Sequence, residues 1–150
     1  MISVYEHFSL SISSIYHDIQ KIERTEMEKF ELKGPHAQTL LAMQRHPEGI
    51  TAVHLCEICE KDKAAISRSV AELEEKGMVL RNQINGSPYR ARLTLTEKGH
   101  LAAQAVSEKA RQAVEQAGAG LEDDQRAVFY EVLAMIAGNL HTICKNGLKE

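Results

Sequence analysis

The feature that most constrains this chain is a change of period. Up to Gly77 the apolar residues recur every three or four positions, as on one face of a helix. Immediately after it, "MVLRNQI" (78–84) and "YRARLTL" (89–95) alternate with period two, separated by Asn85-Gly86-Ser87-Pro88. Asn-Gly between two alternating runs is the strongest short signal for a hairpin, because a tight two-residue turn needs positive φ at its centre. From Thr96 the helical period returns. A small hairpin inserted in an otherwise helical chain excludes large sheets, sandwiches and barrels.

Within the helical parts, Val4, Phe8, Ile12, Ile15, Ile19 and Ile22 form one stripe of a long amphipathic helix. Gly34-Pro35 breaks it, with Pro35 suited to a first helical position. "HAQTLLAMQRH" follows until Pro47 and Gly49 end it. Thr51 is suited to cap a short helix with apolar Leu55, Cys56, Ile58 and Cys59. Asp62 is suited to cap the next, which buries Ile66, Val70 and Leu73 and stops at Gly77. After the hairpin, Thr96 caps a helix carrying Leu101, Ala102, Ala105, Ala110, Ala113 and Val114, closed by Gly118 and Gly120. A last helix from about Asp123 to about Lys145 has an apolar face of Val128, Val132, Leu133, Ile136, Leu140 and Ile143.

At 150 residues the chain is expected to form one domain. Its longest apolar runs, such as "LAMIA" at 133–137, fall short of the roughly 18 to 20 residues that span a bilayer. Glu6 and His7 interrupt any signal-like start. These features predict a soluble, cytoplasmic protein without a membrane partner. Three cysteines make a disulfide framework unexpected. Net charge is −3 overall, yet residues 61–98 hold eight Lys or Arg against five acids, a local +3. A basic segment in an acidic chain points to a local polyanion contact.

Two short capped helices followed by a basic hairpin make a winged helix-turn-helix, whose second helix enters the DNA major groove. "ITAVHLCEICEKDKAAISRSVAELEEKGMVLR" (50–81) and "LTLTEKG" (93–99) carry the likeness. On these residues the chain resembles the MarR family of transcriptional regulators. The resemblance implies a mainly α fold with a small β-hairpin wing, residues 50–99 forming the winged helix-turn-helix. It implies flanking dimerisation helices at 1–33 and 120–150, double-stranded DNA with a pseudo-palindromic operator as partner, and a homodimeric repressor released by a small aromatic or anionic effector.

With Ile66, Val70 and Leu73 buried, about 100° per residue puts Ala64, Arg68 and Ala71 on the opposite face, flanked by Ala65 and Ser67. Small side chains let a backbone approach base edges, and Arg68 can reach guanine O6 and N7 or a phosphate. Lys63 reads equally as a phosphate contact or a solvated lysine. In the wing, Arg90 and Arg92 share one strand face. Arg90 is the candidate for the minor groove, Tyr89 for stacking on sugar or phosphate, and Arg81 and Arg92 for the DNA backbone. Family wings commonly place an acidic residue before the arginines, whereas this chain has "NGSPYRAR".

In the resembling family, effectors bind between the dimerisation helices and the winged domain. By that likeness Tyr16, His17, Phe30, His36 and Met43 are pocket candidates. "CEIC" (56–59) has the spacing of a redox or metal motif, but Cys56 and Cys59 occupy apolar helix positions and read as core. A metal would need further ligands, and His54 and Cys144 are poorly placed to supply them. Family members that sense oxidants through a first-helix cysteine have no counterpart here. No phosphate loop, triad order or paired catalytic carboxylates stand out, so no enzyme and no cofactor are expected. The rival readings are a winged-helix protein-interaction module and a thiol redox protein using Cys56 and Cys59.

Overall fold

A computed structural model describes residues 3–84 and 87–149, with side chains except at 84–89. The order is α1 (Val4–Glu28), α2 (His36–Gln44), α3 (Ala52–Cys59), α4 (Lys63–Glu75), β1 (Val79–Ile84), β2 (Ser87–Leu95), α5 (Glu97–Ala117) and α6 (Asp123–Asn146). The fold is mainly α with one antiparallel hairpin, Val79 opposite Leu95 and Arg81 opposite Leu93. The Asn85-Gly86 turn lies outside the described residues.

Caps fix the helix starts. Ser3 and Glu6 form a capping box on α1, Thr51 accepts from the His54 N–H at 3.2 Å, and Asp62 accepts from the Ala65 N–H at 2.7 Å. Each such cap contributes about 1 kcal/mol by pairing an amide that the helix leaves orphaned. Helix α4 ends as the sequence predicts: Gly77 has φ 71°, and the Met78 N–H donates to the Leu73 carbonyl at 2.9 Å. Less legible are Glu31 and Glu60, which take positive φ without being glycine. Pro35 stands one position earlier than expected, as the N-cap of α2.

The chain divides into two compact units, Met1–Gln112 and Ala113–Glu150. In the first, Leu40, Leu55, Ile66, Leu73, Met78, Leu93 and Val106 form one core. Helix α5 enters it through Ala102, which the sequence marks, and through Ala103 and Val106, which it does not; Leu101 is exposed. Small residues are selected there by close approach. A Cβ on Gly99 would overlap the Met78 carbonyl oxygen, so the helix start can lie on β1 only with glycine at this position. Thr96 completes the corner, its Oγ1 accepting from the Gly99 N–H at 3.1 Å and donating to the Gly77 carbonyl at 2.7 Å.

The stripe on α1 leaves Val4, Phe8, Ile12, Ile15, Ile19 and Ile22 exposed. In the second unit α6 exposes Val128, Phe129, Val132, Met135, Leu140 and Ile143, and none of its residues is buried. Against the expectation from contiguous runs, α6 is long and apolar enough by length and composition to cross a membrane. Its apolar residues are spread among Glu131, Asn139 and His141, so no unbroken run shows in the sequence.

Candidate nucleic-acid interface

Helix α4 presents two faces. Ile66, Val70 and Leu73 are buried, while Lys63, Ala64, Ser67, Arg68 and Ala71 are exposed and Ala65 is half-buried. The outward face is thus small around one arginine, as the helical phase predicts. Among the described residues Arg68 has no hydrogen-bond or ion-pair partner, so its guanidinium is available to an incoming acceptor.

In the second half of α4, Glu72 and Glu74 are half-buried and paired within the fold, whereas Glu75 is exposed. Glu72 Oε2 lies 2.9 Å from His36 Nε2, and Glu72 Oε1 accepts from Lys33 Nζ at 3.0 Å. Those partners hold the Glu72 carboxyl below the usual range, the Lys33 hydrogen bond contributing most. His36 is buried, and its Nδ1 accepts the Lys33 backbone N–H at 3.0 Å. Nδ1 must therefore carry the lone pair and Nε2 the proton that is donated to Glu72. Burial pushes the His36 imidazole down, which favours this neutral tautomer. Glu74 accepts a fork from Arg81, Nε at 3.0 Å and Nη2 at 3.1 Å. Sequence reasoning did not find these links, because they join residues far apart in the chain and follow no local period.

The wing arginines differ from one another. Arg90 is exposed and unpaired among the described residues. Arg92 donates from Nη1 to the Gly49 carbonyl at 3.1 Å, tying the wing to the turn before α3, where Ile50 pairs with Leu93. Gly49 has φ 97°, and a Cβ there would press on Arg92 Cβ at 3.0 Å, so glycine suits both the backbone and the close approach. Arg81 and Arg92 are thus already engaged within the fold. The side chain of Tyr89 lies outside the described residues.

A cavity of about 470 Å³ opens between α1, α2, α3 and α4 in the first unit. Of the pocket candidates, Tyr16 and His36 line it. Met43 is buried in the core, Phe30 packs against that core, and His17 is exposed away from the lining. Glu23, Arg24, Gln38 and Thr39 also line it, and no motif or period in the chain had marked them. Cys56 and Cys59 pack half-buried against the core, and burial pushes the Cys59 thiol up, opposite to what a reactive thiolate requires. Among the described residues no group of three or more His, Cys, Asp or Glu is placed to hold a metal.

A capped helix pair, an outward arginine on the second helix and a hairpin braced beside it define a winged helix-turn-helix protein. Residues 30–83 match the model of the MarR family, so the winged-helix part of the chain is similar to that family of transcriptional regulators. The chain is 25% identical over 146 residues to the HTH-type transcriptional regulator YdgJ of Bacillus subtilis, covering 93% of this chain and 87% of that one. Among solved structures, a MarR transcriptional regulator from Methanosarcina mazei superposes with TM-score 0.81 at 24% identity, covering 92% of each chain. A MarR family regulator from Listeria monocytogenes, solved in complex with a 26mer DNA, gives 0.80 at 20% identity, covering 93% of this chain and 95% of that one.

Proposed function

We propose that this chain is a homodimeric, sequence-specific DNA-binding repressor that a small-molecule ligand releases. The observation that carries the reading is the outward face of α4, where small residues surround an unpaired Arg68 while Glu72 and Glu74 are turned to partners inside the fold. A helix about to enter a major groove must keep carboxylates away from phosphates and a fork donor free for a base edge. The related Listeria regulator, solved with DNA, supports the choice of partner. Ala64, Ala65 and Ser67 line the approach, with Lys63 beside them, and Arg90 reaches for the minor groove or its phosphates. Arg81 and Arg92 serve chiefly to hold the wing.

The apolar faces of α1 and α6 supply the dimer. A carboxylate at the centre of a bilayer costs roughly 2.5 to 3.5 kcal/mol, and every span-length window of α6 contains Glu131 and Asn139. We therefore assign its surface to protein contact in the cytoplasm. Two identical reading heads imply a pseudo-palindrome with half-site centres about 10 bp apart.

The test is a footprint on DNA around the chain's own gene, followed by titrations of the protected site and a scrambled duplex over a salt series. Arg68→Ala should lower affinity for the protected site far more than for scrambled DNA, since a bidentate guanine contact is worth about 1 to 3 kcal/mol of discrimination. Arg90→Ala should weaken both and make the salt slope shallower, by about one for each phosphate that Arg90 neutralises. An unchanged site-to-scrambled ratio in Arg68→Ala would remove Arg68 from base reading.

A further inference from the structure

His46 and His54 stand on either side of the turn that leads from α2 into α3, outside the cavity lining. Their ring centres are 5.1 Å apart, with planes at 73°. Both backbones are fixed: the His46 N–H donates to the Met43 carbonyl at 3.0 Å, and the His54 N–H to the Thr51 hydroxyl at 3.2 Å. His46 Nδ1 lies 2.9 Å from the Ala42 carbonyl oxygen, which can only accept, so in the neutral ring Nδ1 carries the proton and Nε2 the lone pair. Among the described residues no group donates to that Nε2, and the His54 ring has no hydrogen-bond partner. His36 contrasts with them, both its ring nitrogens being engaged by Lys33 and Glu72.

We infer that this pair binds a divalent transition-metal ion of the zinc class, His46 through Nε2 and His54 through a ring nitrogen. Two imidazoles on one tetrahedral zinc, with Zn–N about 2.0 to 2.1 Å, hold their ring centres about 5 Å apart. A metal-bound histidine characteristically donates its other N–H to a carboxylate or backbone carbonyl, which fixes the ring and its tautomer, and Ala42 serves His46 in this way. Edge-to-face packing of core rings gives a similar separation, but His54 is exposed and His46 half-buried, so both rings are open to solvent. No third His, Cys, Asp or Glu joins them among the described residues, which leaves the remaining coordination positions to water. Imidazole favours zinc, copper and nickel over magnesium and calcium, whose preferred ligands are oxygens. The ion staples the end of α2 to the first turn of α3. The turn it closes contains Gly49, whose carbonyl accepts from Arg92, so the same staple holds the anchor of the wing. The site is independent of the DNA-reading role proposed above.

The experiment titrates zinc chloride, with magnesium chloride as control, into the whole chain under reducing conditions, and follows the heat of binding and the thermal midpoint. Zinc should bind at micromolar concentration and raise the midpoint, as a ligand selective for the native state does; magnesium should do neither. His54→Ala removes one ligand from an exposed position. His46→Asn keeps an amide that can donate to the Ala42 carbonyl but removes Nε2. Each should weaken zinc by about tenfold or more, at least the loss that follows when only the outer partner of a metal-bound histidine is removed, and shrink the rise in midpoint. No zinc uptake by wild type at micromolar concentration overturns the proposal, as does magnesium binding as tight as that of zinc. So does a His54→Ala protein that holds zinc as tightly as wild type, since the ion would then sit on cysteine or on another histidine. If His46→Asn does not fold, His54→Ala decides the matter alone.

Discussion

Glu23 occupies a position where a different residue would stabilise the fold. Burial raises its carboxyl above the ordinary value, the Gln38 hydrogen bond offsetting part of that rise. The folded state then binds more protons than the unfolded one between the two values, so this group's contribution to stability is full below the unfolded value and is lost as pH rises through the folded one. Glu23→Gln removes the ionisation while keeping the shape, although its amide must turn its oxygen toward Gln38. We expect a higher thermal midpoint than wild type at pH 7 and a smaller difference at pH 4, read by circular dichroism melts at both. A variant less stable at pH 7 would mean that the carboxylate is well compensated in the fold. Nothing in the sequence marks Glu23. It sits one position past the Ile22 end of the α1 stripe, among charged residues that read as solvated. Arg68 was legible because its exposure follows from helical phase alone, whereas the pairing of Arg81 with Glu74 needed the hairpin folded back on the helix.

At the scale of elements, the corner joining α4, the hairpin and α5 is the most exacting join in the first unit. Gly99 lies against the Met78 carbonyl, and Thr96 bonds both the end of α4 and the start of α5. Gly99→Ala forces the helix away from backbone that cannot yield, so a loss of about 1 to 3 kcal/mol is expected, as for overpacking elsewhere. Urea titration should show a lower midpoint with an unchanged slope, while Gly120→Ala, with open space around it but φ 89°, tests backbone conformation alone. Helix and strand identities were readable from period and caps, since both act within a few residues. The phase of α5 was readable only at Ala102: Ala103 and Val106 were missed and Leu101 is exposed, because alanines bury as readily as leucine when a neighbouring strand approaches closely, and that approach is a tertiary fact.

For the whole molecule, α1 and α6 each leave a row of apolar residues exposed, and contiguous exposed apolar surface marks interaction sites. If each is covered by a second copy, sedimentation should give twice the 16.7 kDa chain mass, and the melting midpoint should rise with protein concentration. Ile15→Glu should shift the mass toward one chain. A wild-type mass of 16.7 kDa at micromolar concentration would discard the dimer. The stripe on α1 was legible from its spacing, but its partner was not, since amphipathicity shows that a face is to be covered and not what covers it.

The bracing of α4 by Lys33, His36, Arg81 and Thr96 has a calorimetric consequence. A reading head held by these four residues has little left to order when it meets a duplex, so association should incur little conformational entropy cost at α4 itself. Coupled folding would add a large negative heat-capacity change beyond that of the contact area. Here the heat capacity of operator binding should match the buried surface of a rigid docking. Cutting the brace with Glu72→Gln should make it more negative, as part of the helix then orders only on the DNA.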